Sequence, residues 1–131
     1  MSRSENAVGQ MKNKNNCCQS VLLAFADLVD LAPEELKKLG AGFGGGMGCM
    51  EGTCGALCGA EMILGLVKAG AGPVRGEAAA LHRAFTEKCG SSLCKEIKGR
   101  DTGKVLCSCP DCVRNAADLL DAALAAPKEQ P

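Results

Sequence analysis

Four of the ten cysteines in this 131-residue chain, Cys17, Cys54, Cys94 and Cys109, fall where a helix should begin. A helix N-terminus presents unpaired N–H groups and a partial positive charge, which favours the thiolate that ligates metal or attacks a disulfide. Four such thiolates converging on one point would make a Cys₄ site for an iron–sulfur cluster, with backbone N–H groups placed to bond the cluster sulfides. The same ligand set suits structural zinc, because spacing alone does not separate tetrahedral zinc from iron–sulfur. A third chemistry needs no metal. Cys109-Pro-Asp-Cys112 is a CxxC at a helix start, the setting that activates the leading thiolate for disulfide exchange or sulfur transfer.

The other six cysteines divide by position. Cys18, Cys58 and Cys89 lie on apolar helix faces, where a thiol serves as a small core hydrophobe. Cys17 and Cys18 are about 100° apart on a helical wheel, so the two are not expected to ligate one metal together. Cys49 and Cys58 bracket Cys54, and Cys107, Cys109 and Cys112 share one short segment, so the surplus leaves room for a second cluster.

Helices must position these thiols. The first is expected from about Asn16 to Asp30, capped by Asn15 or Asn16, with Cys18, Leu22, Phe25 and Val29 on one face. A second opens at Pro33 with Glu34 and Glu35 in its first turn, uses Leu36 and Leu39 as contacts and stops near Ala41. Thr53 is placed to cap a third, strongly apolar and hence central, from Cys54 to Ala69. A fourth starts at Pro73 and ends at Gly90, with Ala78, Leu81, Phe85 and Cys89 inward; Ser91 and Ser92 cap a short turn that holds Cys94. The last starts at Pro110 with Cys109 as its cap and turns Val113, Ala117, Leu120 and Leu124 inward. No segment alternates with period two. The fold class read from the sequence is all-α: a single-domain bundle of about five helices with a glycine-rich loop, spanning residues 15–125 between a flexible N-terminal segment, 1–14, and a flexible tail, 126–131.

Composition narrows the function. Fifteen basic residues balance fifteen acidic ones, and the only aromatics are Phe25, Phe43 and Phe85, so the chain lacks the steering charge and stacking rings of a nucleic-acid binder. No stretch has the roughly 18 apolar residues of a membrane span, and the opening residues lack a signal-peptide pattern. A cytoplasmic location follows as the expectation, and in that reducing setting dense cysteines mean metal or redox sites rather than a disulfide scaffold. The apolar third helix is either buried within one subunit or shared across a two-fold axis, and a homodimer is a modest expectation.

Gly42-Phe-Gly-Gly-Gly-Met-Gly48 is read as a loop, since each interior glycine costs a helix about 1 kcal/mol. Gly40 to Gly45 formally satisfies GxGxxG, but no strand precedes it and no helix begins within it, so dinucleotide binding is not expected. Gly44, Gly45 and Gly46 are instead expected at the cofactor, where backbone N–H groups can approach it without side chains in the way. His82, the single histidine, lacks the CxxCH context of covalent haem and reads as a partly exposed helix residue. Glu61, in the apolar third helix, is either a carboxylate on an exposed edge or a proton acceptor near the sulfur site.

Asn16-Cys17-Cys18-Gln19-Ser20-Val21-Leu22, the glycine run 42–48 and Cys54-Gly55-Ala56-Leu57-Cys58-Gly59-Ala60 resemble successive blocks of the redox-active family named for its C-GCAxxG-C-C cysteine signature. Cys94-Lys-Glu-Ile-Lys-Gly99 and Cys109-Pro-Asp-Cys-Val-Arg114 continue the resemblance in order. Matching block by block puts the four signature cysteines at Cys17, Cys54, Cys94 and Cys109, and the six others depart from the usual pattern. The resemblance implies a small redox protein, related to iron–sulfur modules of larger redox proteins such as split-Soret cytochromes. The function expected is electron transfer through an iron–sulfur cluster with a redox partner protein. The alternatives are thiol–disulfide or sulfur-transfer chemistry at Cys109 and Cys112, and structural zinc binding.

Overall fold

The computed structural model describes residues 1–126, and these are helical with no strands. The elements run α1 (Arg3–Lys12), α2 (Cys17–Ala24), α3 (Pro33–Gly40), α4 (Gly44–Met47), α5 (Gly55–Lys68), α6 (Arg75–Cys89), α7 (Cys94–Ile97) and α8 (Cys109–Ala125), with 3₁₀ turns at Ala26–Leu28 and Ala69–Ala71. The all-α class holds. The helical segments outnumber the five expected because two single-turn pieces and an N-terminal helix join the longer ones. Residues 127–131, most of the expected tail, lie outside the described residues.

Helix α5 occupies the middle of the bundle, packed by α2, α8, α6 and α4. Its Ala56, Leu57, Ala60, Ile63 and Leu64 are fully buried against Val21, Leu22 and Phe25 of α2 and Val113, Ala117 and Leu120 of α8. The inward face expected of α6 is present, with Leu81, Phe85 and Cys89 buried. In α3, Leu36 is buried but Leu39 is 45% exposed, so the helix makes its apolar contact through one leucine instead of two.

Residues 1–14, expected to be flexible, instead carry α1. Ser2 caps it by accepting the Glu5 N–H, and Ala7 is buried where α1 lies on α8 and α2. Arg3 ties it down. Its guanidinium bonds the Ala24 carbonyl at the end of α2, forks onto Asp27 and sits 4.9 Å above the Phe25 ring. These are long-range contacts, which a sparse pattern of Ala7, Val8 and Met11 does not announce.

Three boundaries also move. The first expected helix stops at Ala24 instead of Asp30 and continues as the 3₁₀ turn. Helix α5 has Cys54 itself as N-cap, because Thr53 is drawn into an antiparallel bridge with Leu93. Helix α8 is capped by Ser108, whose hydroxyl accepts the Asp111 N–H, so Cys109 becomes its first helical residue.

Where α2 crosses α5, Gly59 permits backbone contact: a Cβ there would stand 2.8 Å from the Cys18 carbonyl oxygen. Gly65, two turns on, faces open space. Urea unfolding of the reduced, chelator-treated chain should therefore show Gly59→Ala destabilised by about 1–3 kcal/mol. Gly65→Ala should gain up to about 1 kcal/mol from helix propensity.

Candidate metal centre

Backbone pairing brings two of the signature thiols together. Around the Thr53–Leu93 bridge, the Cys54 N–H bonds the Ser92 carbonyl at 2.8 Å, the Cys94 N–H bonds the Gly52 carbonyl at 3.0 Å and the Lys95 N–H bonds the Met50 carbonyl at 2.9 Å. Cys54 and Cys94 are thereby held side by side at the starts of α5 and α7, both 3% exposed. Cys17 begins α2 under a capping box made by Asn16 and Gln19.

The glycine loop closes over these residues. Gly45 and Gly46 have φ of 63° and 61°, so the turn winds left-handed, a conformation cheap only for glycine. Their neighbours explain the run. A Cβ on Gly44 would fall 2.5 Å from the Asn16 Cβ, one on Gly46 2.5 Å from the Cys94 Cβ, and one on Gly55 2.5 Å from the Cys17 Sγ. The Gly45 N–H bonds the Cys17 sulfur. Short as it is, α4 is thus a lid of bare backbone over Cys17 and Cys94.

Electrostatics centre on Cys54. Hydrogen bonds from the Cys112 and Cys17 thiols, reinforced by the Ala56 and Leu57 N–H groups at the start of α5, outweigh burial and bring its pKa down to about 3. Cys17 and Cys112 are pushed well up, first by their contact with Cys54. Cys89 is lowered to about 6 by Cys112 first, with Asn115 and Cys107 adding to it against burial. Cys94 is raised by burial and by the Cys54 charge, against Lys98. Burial works against Lys98, yet its bond to Cys109 and the charges at Cys112, Cys109 and Cys54 hold its ammonium above the usual range.

Of the four expected ligands, only Cys17 and Cys54 are paired directly. Cys94 lies within electrostatic reach of Cys54 and Cys109, and Cys109 sits on the exposed rim bonded by Lys98. None of the ten cysteines is in a disulfide. Cys18 turns into the core as expected, fully buried beside Gly40, and Cys49 is exposed with its thiol on the Gly46 carbonyl.

Cys89 is more than a core hydrophobe. Its sulfur and those of Cys107 and Cys112 all lie within 4.8 Å of one another, a group that can hold a metal ion. The signal for Cys89 was its place as the last residue of α6, just before the helix-ending Gly90, at the same end of the bundle as the helix starts.

Glu61 is not on an exposed edge. With Cys58, Thr53, Phe43, Leu57, Met62 and the exposed His82, it lines a cavity of about 310 Å³. Its Oε1 is buried without a hydrogen-bond partner, and burial raises its carboxyl to about 7. The Cys58 thiol beside it is pushed up to about 11, first by burial and then by the charges of Cys54 and Glu61.

The family model described as "Putative redox-active protein (C_GCAxxG_C_C)" matches residues 15–123, most of the chain. The chain belongs to this family. No curated protein and no solved structure gives a match. Redox activity is the family's description. No helix among the described residues is long and apolar enough to cross a membrane.

Glu61 allows a pH test apart from the thiols. Its folded pKa of about 7 lies above the ordinary 4.5, so its contribution is fully present below the unfolded value and is lost as pH rises through 7. Urea midpoints of Glu61→Gln should match wild type near pH 4 and exceed it near pH 8, with the gap opening above pH 4.5 and reaching its full size a little above pH 7.

Proposed function

We propose that this chain is a small redox protein that holds an iron–sulfur cluster through Cys17, Cys54, Cys94 and Cys109 and passes electrons to a partner protein. The reading is supported by the pairing of Cys17, at the start of α2, with Cys54, at the start of α5, and by Cys94 of α7 lying close enough to feel the Cys54 charge. Donor chemistry fits the group. Thiolates are iron–sulfur ligands, the Gly45 N–H favours the ionised form of Cys17 and the Ala56 and Leu57 N–H groups that of Cys54, and Lys98 offsets anionic charge. An iron–sulfur cluster supplies one-electron chemistry at a potential set by such hydrogen bonds and by burial.

The chain's own residues prepare the site. Helix starts and the left-handed glycine turn orient the sulfurs, and burial of Cys54 and Cys94 keeps bulk water from their side of the pocket. In the metal-free chain the Cys17 and Cys112 protons hold Cys54 as a thiolate. Binding a cation at the four ligands releases the proton of Cys17, so loading is favoured by rising pH. Cys109, on the rim beside exposed backbone, is the side on which a partner has the shortest approach.

Thiol exchange at Cys109 and Cys112 is the less favoured reading. Cys112 is 1% exposed and its sulfur is engaged by Cys54 and Cys89, so it is poorly placed to resolve a mixed disulfide.

Anaerobic isolation decides between these. The protein should be coloured, with equivalent iron and acid-labile sulfide, and Cys54→Ser or Cys94→Ser should lower both by roughly tenfold or more. A colourless protein containing zinc would refute the cluster. A mixed disulfide trapped on Cys109 in Cys112→Ser, with unchanged metal, would establish the exchange reading in its place.

A further inference from the structure

We infer that Cys89, Cys107 and Cys112 form a second metal centre, selective for a divalent thiophilic cation of the zinc class, with ligands other than the four signature cysteines and adjoining them where Cys112 meets Cys54. The three sulfurs lie within 4.8 Å of one another and come from the end of α6, the connector and the first turn of α8. Zn–S bonds of about 2.3 Å set tetrahedral ligand sulfurs about 3.8 Å apart, so modest side-chain rotations complete the coordination. None of the three belongs to the set assigned to the cluster, and this site stands whether or not that assignment does.

Neighbouring groups are already arranged for thiolates. The Asn115 side-chain amide donates to Cys89 Sγ at 3.4 Å and to Cys107 Sγ at 3.8 Å. Lys98 Nζ stands 3.7 Å from Cys112 Sγ and 3.3 Å from the Cys107 carbonyl oxygen. Donors aimed at sulfur are what a thiolate centre needs and a thiol packed as a hydrophobe does not.

Charge selects the ion. Three thiolates with a divalent cation leave one negative charge, which the Lys98 ammonium offsets; a monovalent soft ion such as Cu⁺ would leave two. Cys89 and Cys112 are buried whereas Cys107 is partly exposed, so the ion enters past Cys107 and its fourth position opens to solvent there. The bound ion would add a cross-link between the connector and the bundle, beside the Leu106 N–H on the Ile97 carbonyl and Lys98 on the Cys107 carbonyl.

The test is Co²⁺ titration of the full-length chain carrying Cys17→Ser and Cys94→Ser, reduced and anaerobic, followed by thiolate-to-cobalt absorption and competition with Zn²⁺. One tight equivalent with tetrahedral bands, bleached by Zn²⁺, is expected. Adding Cys107→Ser should abolish those bands or weaken binding more than about tenfold, and adding Asn115→Ala should weaken it about tenfold with the bands retained. Absence of thiolate bands, or indifference to Cys107→Ser, overturns the proposal. If far-UV circular dichroism shows the double variant unfolded, the wild-type chain is compared with Cys107→Ser alone. Loss of one equivalent then supports the site, and an unchanged equivalent number and spectrum refutes it. Iron and sulfide lost in Cys94→Ser but kept in Cys107→Ser would separate the two centres.

Discussion

One ionised sulfur organises this molecule. Cys54 is the N-cap of the central helix, where neighbouring thiols, Cys112 and Cys17 first, and the N–H groups of the first turn favour its ionised form. A buried thiolate is costly unless its charge is met, and here the helix start and neighbouring S–H groups meet it at once. Its charge is felt in turn by Cys18, Cys58, Cys89, Cys94 and Lys98. The surrounding architecture can be understood as the means of bringing donors to that atom without admitting bulk water.

Those means depend on missing side chains as much as on present ones. Gly44, Gly46 and Gly55 leave the volumes that Asn16, Cys94 and Cys17 occupy, and the left-handed turn aims the Gly45 N–H at sulfur. Gly59 does the same for the α2–α5 crossing, which sets how closely Cys17 and Cys54 approach. The glycine run is therefore a packing device in the site's wall. A flexible linker would satisfy its composition equally well but not these contacts.

Much of this was legible in advance. Asn16 before Cys17, Pro33 with two glutamates, Gly90 after Cys89 and Pro110 after Cys109 are local signals whose physics acts within one turn, and the helices they mark formed with shifts of a few residues. Thr53 failed as a cap because a non-local bridge to Leu93 competed for its backbone. Helix α1 was invisible because its stability comes from Arg3 reaching Ala24 and Asp27 and from Ala7 packing on distant helices.

The chain's own residue order determined the all-helical class, the helix starts that carry Cys17, Cys54, Cys94 and Cys109, and the need for bare backbone at residues 44–46, because capping, glycine entropy and apolar periodicity are local. Tertiary structure alone decided that Cys89 and Cys107 join Cys112, and that Glu61 faces a cavity beside Cys58. Only there did Lys98 come to lie between Cys109 and Cys112. A cysteine on an apolar face looks the same to the sequence whether its sulfur meets a leucine or another sulfur. That difference is set by how helices cross, and crossing depends on the packing of every residue between them.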